Sequence, residues 1–327
     1  MSILFTIILW FVVLAIALTV LLKSADYFIY VAEKLGNQFN VPSFIIGATV
    51  VAFGTSLPEL AVGVISVLGG EPDILTGTVV GSNISNILFI TGIAILMSAG
   101  FFIQFKTHRV EFLLLVFATI LATYFLWDKE LNLIEALICL LLLIIYLVYV
   151  VGFSSKNDKP EVIDNVVLNW KNYAYFILSI LGVWVGAKYT TDAITSISSL
   201  LHLGSDVISQ TVVALGTSLP ELAVTAAAAR KKHFNIILGN VMGSNIFNLL
   251  AVLGLPAFIG IMNLKPYYVE DSNFNQFSLP IMLAATFLLL IASFFKPTPR
   301  SFGVLFILLY IFFMVGSFLG INLLELV

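Results

Sequence analysis

The chain has 327 residues, of which 60% are hydrophobic and only 10% charged, against about 25% charged in a soluble globular domain. Its 15 basic and 18 acidic side chains cannot wet the outside of so long a chain, so lipid is the solvent for most of it. A net charge of −3 with scattered basic residues excludes a nucleic-acid groove, and one cysteine, Cys139, excludes a disulfide framework or a Cys-rich metal site.

Ten apolar stretches of membrane-spanning length follow in chain order at 2-22, 43-69, 73-99, 110-127, 131-153, 171-190, 205-229, 235-262, 278-295 and 301-325. The first has no basic residue before it and no small-residue cleavage site behind it, so it reads as a retained span rather than a signal peptide. Twelve of the fifteen Lys and Arg residues fall on one side of this arrangement; only Lys129, Lys188 and Lys265 fall on the other. The positive-inside rule makes the first side cytoplasmic, and ten spans then place both termini outside. The expectation is a multi-pass protein of the cell (inner or plasma) membrane, surrounded by lipid, with no obligate protein partner evident. The charged segment 154-170 reads as a cytoplasmic linker at mid-chain, with no soluble domain between spans.

The chain repeats itself. TVVAFGTSLPELAV at 49-62 recurs as TVVALGTSLPELAV at 211-224, agreeing at thirteen of fourteen positions. At the same offset of 162 residues, GTVVGSNISNIL at 77-88 matches GNVMGSNIFNLL at 239-250 at eight of twelve. Each half, 1-153 and 171-327, then carries five spans, and an odd number turns the second half upside down. The connections agree: Gly69-Gly70-Glu71-Pro72-Asp73 lacks a basic residue, whereas its counterpart begins Arg230-Lys231-Lys232. The fold class is therefore all-α integral membrane, ten transmembrane helices as two inverted-topology five-helix repeats. Such repeats hold transport sites near the midplane, where helices are interrupted.

Pro58 and Pro220 each remove a helix donor, freeing the carbonyls of Gly54 and Gly216 and leaving others near the breaks short of partners. Glu59 and Glu221 are the two acidic residues placed deep inside spans. A carboxylate there costs at least about 2.5 to 3.5 kcal/mol and marks function, since no basic residue in mid-span could pair with it. Ser56 lies three residues before Glu59, and Ser218 three before Glu221, while Ser82 and Asn86, like Ser244 and Asn248, are four apart. All four spacings put both members on one helix face. Asn83 and Asn245 point elsewhere and read as interhelical hydrogen-bonding groups. Close packing through small residues accounts for part of the Gly, Ser and Thr content, though not for the glutamates. The oxygen-only donor set suits hard cations and argues against zinc, copper or iron. Two carboxylates balance one Ca²⁺ or two monovalent ions, and a dehydrated symmetric cage favours Ca²⁺ over Mg²⁺.

These paired GTSLPEL and GSNIxN blocks resemble the alpha-1 and alpha-2 repeats of the sodium/calcium exchanger family in the calcium:cation antiporter superfamily, in its compact prokaryotic form. On this chain the repeats occupy 47-90 and 209-252. The resemblance implies side-chain ligands at Ser56, Glu59, Ser82, Asn86, Ser218, Glu221, Ser244 and Asn248, with backbone carbonyls near Ala52, Thr55, Ala214 and Thr217. It implies Na⁺ and Ca²⁺ as transported ions, no cofactor, and first and sixth spans that slide across the repeat core. Some relatives, including potassium-dependent exchangers, carry aspartate where Asn248 stands; the neutral amide resembles the potassium-independent type, so no potassium requirement is expected. The leading reading is Na⁺/Ca²⁺ antiport that exports Ca²⁺ against inward Na⁺ flow. A Ca²⁺/H⁺ antiporter using the same glutamates is the alternative, because burial favours a neutral carboxyl in general. A channel, or an intramembrane hydrolase using Ser56 or Ser218, comes from another class; the hydrolase lacks a nearby base, since His108, His202 and His233 lie at span ends or in loops.

Overall fold

The computed structural model describes residues 3–38, 41–70, 72–98, 108–153, 170–200, 218–263, 274–295 and 297–319. Every regular element among them is helical apart from a single bridge residue at Glu130. In chain order they are α1 (Ile3–Gln38), α2 (Ser43–Ile46), α3 (Ala52–Thr55), α4 (Leu57–Gly69), α5 (Pro72–Ile84), α6 (Thr91–Met97), α7 (Arg109–Phe125) and α8 (Leu133–Phe153). After the linker come α9 (Trp170–Leu200), α10 (Leu219–Arg230), α11 (Phe234–Phe247), α12 (Gly254–Met262), α13 (Leu279–Ala292) and α14 (Arg300–Leu319). Wide π-helical turns join several of these, at Gly47–Val51, Ser85–Ile90 and Asn248–Val252, and another, Phe274–Ser278, leads into α13. Six described helices are long and apolar enough to cross a membrane, and the pair bent by 42° at Ser56 makes a seventh.

Two boundaries expected from hydropathy are corrected. The first span runs well past residue 22: α1 holds 36 residues, or about 54 Å at 1.5 Å per residue. Nothing between Lys23 and Gln38 breaks a helix, and Pro42 is the first residue that must. The sixth span likewise continues to Leu200 as the 31-residue α9. These two helices form the most extensive helix pair. Small residues let them close: an added Cβ on Gly186 would lie 2.7 Å from the Leu21 amide nitrogen, and Phe28 stacks on Phe176 at 5.1 Å. The stripe Ala17, Leu21, Ala25, Phe28, Ile29 and Ala32 is buried, while Phe5, Ile8, Leu9, Phe11, Val12 and Ile16 are exposed toward the lipid.

At the centre stand α5 and α11, apolar and buried round nearly their whole circumference. α11 meets the start of the second span backbone to backbone. Gly239 and Gly243 are four apart, the small-xxx-small spacing that permits such approach. A Cβ on Gly243 would sit 2.6 Å from the Ala48 carbonyl oxygen, and one on Gly47 2.6 Å from that of Ile236. The buried Tyr146 hydroxyl of α8 donates to the same Ala48 carbonyl at 3.3 Å, inside the first π-helical turn.

Candidate ion-binding site

The proline breaks build the site. Ser56 leaves helical geometry (φ −89°, ψ 5°), and Ser218 repeats that conformation (φ −86°, ψ 0°). Each therefore stands at the N-terminus of a new helix, α4 or α10, with the glutamate in its first turn. The positive end of a helix stabilises a carboxylate by about 0.3 to 1 kcal/mol, which offsets part of the cost of burying it. Serine is a preferred N-cap because its hydroxyl accepts from the first turn, yet neither serine forms that bond here. Both hydroxyls are thereby held back for other partners.

Glu59 and Glu221 are buried at 0% and 1% exposure, one in each half. Ser56 Oγ donates to Glu221 Oε1 at 3.2 Å, a bond between the two halves, and Ser82 Oγ donates to Glu59 Oε1 at 3.5 Å within the first half. Thr55 Oγ1 and Ser244 Oγ meet at 3.5 Å, again across halves. Six of the residues expected from sequence are thus joined into pairs. The other described side-chain candidates, Asn86, Ser218 and Asn248, are buried too, and their side-chain polar atoms have no hydrogen-bond partner among the described residues; the same holds for the second oxygen of each glutamate. These orphaned oxygens are carboxylate, hydroxyl and amide, the donor set a hard cation takes. Among the described residues no cluster of three His, Cys, Asp or Glu exists to hold a transition metal.

Both candidate amides sit at widened turns. Asn86 lies in the turn Ser85–Ile90 and Asn248 opens Asn248–Val252. The Asn86 carbonyl accepts from Thr91 Oγ1 at 2.9 Å and the Asn248 carbonyl from the Leu253 amide at 3.0 Å, each five residues on. Such π-bulges recur at functional sites, and no residue pattern in the sequence announces them.

The carbonyls expected as backbone ligands divide. No backbone donor among the described residues crosses the break to the Thr55 carbonyl. Ala52, by contrast, already accepts from the Ser56 amide at 3.0 Å and from Thr55 Oγ1 at 3.3 Å. A cation there has to displace one of them. Ala214 and Thr217 lie outside the described residues. The reading of Asn83 and Asn245 is half corrected: Asn83 Nδ2 reaches Met282 Sδ of α13 at 4.0 Å, but Asn245 Nδ2 donates to the Val241 carbonyl of its own helix at 2.6 Å. Sequence reasoning also passed over Asn240 and Thr225. Their signal was available as polar residues where the first repeat has Thr78 and Gly63. A groove of about 610 Å³ between α7, α8 and α13, lined by Tyr124, Trp127 and Phe287, contains none of these residues and faces outward.

Residues 9–153 and 171–319 match the family described as sodium/calcium exchanger protein. The chain is 30% identical to the sodium/calcium exchanger MaX1 of Methanosarcina acetivorans, over 94% of this chain and 98% of that one. It is 31% identical to the inner membrane protein YrbG of Escherichia coli, over 85% and 87%. A solved structure of the sodium-calcium exchanger NCX_Mj, soaked with Na⁺ and Sr²⁺, superposes with a TM-score of 0.80 at 31% identity, covering 94% of this chain and 97% of that one. With the family matched across both halves, and its fold shared over nearly the full length, the chain belongs to the sodium/calcium exchanger family.

Proposed function

We propose that the protein is a Na⁺/Ca²⁺ antiporter that exports Ca²⁺ against inward Na⁺ flow by alternating access. The reading is carried by the two buried glutamates, brought together from opposite halves with unpartnered oxygens around them. Ca²⁺ enters between Glu59 and Glu221, with Ser56, Ser82, Ser218 and Ser244 and the carbonyls near Ala52, Thr55, Ala214 and Thr217 supplying neutral oxygens. Na⁺ ions compete for the same carboxylates, flanked by Asn86 and Asn248. The neutral amide of Asn248 is why no potassium requirement is proposed. The chain is arranged as ten spans in two inverted repeats, 1-153 and 171-327, with 154-170 as a cytoplasmic linker and both termini outside the cell membrane. The closely packed α1–α9 pair is the unit that slides across the repeat core to open one side and then the other.

The test is ⁴⁵Ca²⁺ flux in proteoliposomes with an imposed sodium or proton gradient. Uptake driven by sodium loaded inside, and indifferent to pH gradients, is the expected result. Flux that follows the proton gradient and ignores sodium overturns it in favour of Ca²⁺/H⁺ exchange.

A further inference from the structure

We infer that Asn240 is a positioning residue of the ion site, acting through Ser244. A hydroxyl carries one proton and two lone pairs, so a serine that ligates a cation must send its proton elsewhere. Asn240 is 1% exposed in α11, one turn before Ser244. Ser244 Oγ donates to Asn240 Oδ1 at 3.4 Å, while Asn240 Nδ2 donates to Thr225 Oγ1 of α10 at 3.2 Å. With the amide nitrogen on Thr225, the oxygen faces Ser244. The Ser244 lone pairs are thereby left for the side where Thr55 Oγ1 lies 3.5 Å away. Thr55 can direct its own proton to the Val51 or Ala52 carbonyl, at 3.1 and 3.3 Å, so two hydroxyl oxygens of opposite halves present lone pairs together.

The device exists in one half only. At the offset of 162 residues, Asn240 corresponds to Thr78 and Thr225 to Gly63. The first half therefore has no amide at this place, and its serine, Ser82, donates instead to the Glu59 carboxylate. Ser244 gives its proton to a neutral group, whereas Ser82 gives its proton to a carboxylate. The inference rests on Ser244 being a ligand, as proposed above.

Ca²⁺ binding to the purified full-length protein, measured by ⁴⁵Ca²⁺ equilibrium binding, tests it. Asn240→Leu, which keeps volume and removes the acceptor, is expected to weaken affinity by about two- to tenfold, the worth of one hydrogen bond. Asn240→Asp keeps an acceptor for both hydroxyls and is expected to bind at least as tightly as the parent. A packing role would give the reverse order, with Leu tolerated and Asp harmful. In a double-mutant cycle, Asn240→Leu is expected to add nothing once Ser244→Ala is present. Equal affinity of the Leu variant and the parent, an Asp variant as weak as Leu, or effects that multiply in the double variant each overturn the role of Asn240. A Ser244→Ala protein with unchanged affinity overturns the site reading itself, and this inference with it.

Discussion

Replacing Glu59 or Glu221 by glutamine removes one buried charge while keeping side-chain volume and an acceptor oxygen for Ser82 or Ser56. In ion-free buffer the charge works against folding: about 2.5 to 3.5 kcal/mol for a carboxylate at membrane depth, less about 1 kcal/mol returned by the helix N-terminus. The glutamine variants are therefore expected to be at least as stable as the parent without ions. With Ca²⁺ present the order inverts. A ligand at a hundred times its Kd stabilises the folded protein by about 2.7 kcal/mol, and a hundredfold loss of affinity leaves about 0.4 kcal/mol. Thermal unfolding in detergent, with and without Ca²⁺, reads both halves of the argument, and flux in proteoliposomes is expected to vanish in both variants. A glutamine variant that keeps the parent's full Ca²⁺-dependent stabilisation refutes the assignment of that carboxylate. One that loses stability in ion-free buffer refutes the view that the site is costly when empty.

Three further outcomes follow from the packing and the helix ends. Gly243→Val places a side chain against the Ala48 backbone, where even a Cβ would lie 2.6 Å from the carbonyl oxygen; overpacking of this kind costs about 1 to 3 kcal/mol and should show as a lower unfolding temperature. Arg230 pairs with Asp26 at 2.7 Å, joining α10 to α1, but both side chains are largely exposed at 46% and 40%. Asp26→Asn is expected to change stability by under about 1 kcal/mol, and less still at high salt, as measured by chemical denaturation. His108, before α7, stacks on Phe44 at 3.9 Å, and burial pushes its imidazole down to about 4 from 6.5. The unfolded chain then binds more protons between those values, so the contribution is whole above pH 6.5 and is lost as pH falls toward 4. The loss amounts to roughly 3 kcal/mol, and His108→Phe, which keeps the stack, is expected to flatten that part of the pH–stability curve.

Much of the site was legible because the features that build it are expensive. A glutamate in a span, or a proline within one, stands out against an apolar background, and an offset of 162 residues with near-identity repeats both. What stayed hidden depends on protein neighbours rather than on lipid. Hydropathy stops the first span at Lys23, yet α1 continues because Asp26 meets Arg230 and Lys231, and Lys34 and Lys231 both lie over the Tyr30 ring. The π-helical turns at Asn86 and Asn248 lie in buried segments, and no Gly or Pro within them marks a break. Asn245 was misread because the angular argument says where a side chain points and not what its own backbone offers: the Val241 carbonyl, one turn back, is the nearer acceptor.

The arrangement of the glutamates also bears on why such a site should exchange ions rather than release them freely. Ser56 of the opposite half donates to Glu221, and Ser82 of its own half donates to Glu59. The second oxygen of each has no hydrogen-bond partner among the described residues, and ionising both carboxyls in an apolar interior carries a cost that falls only when a cation covers them. A cation that draws Glu221 toward itself must compete with Ser56, and the bond it weakens is one that ties the halves together. On the proposed reading, an ion that leaves without replacement restores the cost of the buried carboxylates, and a second ion species entering from the other side removes it again.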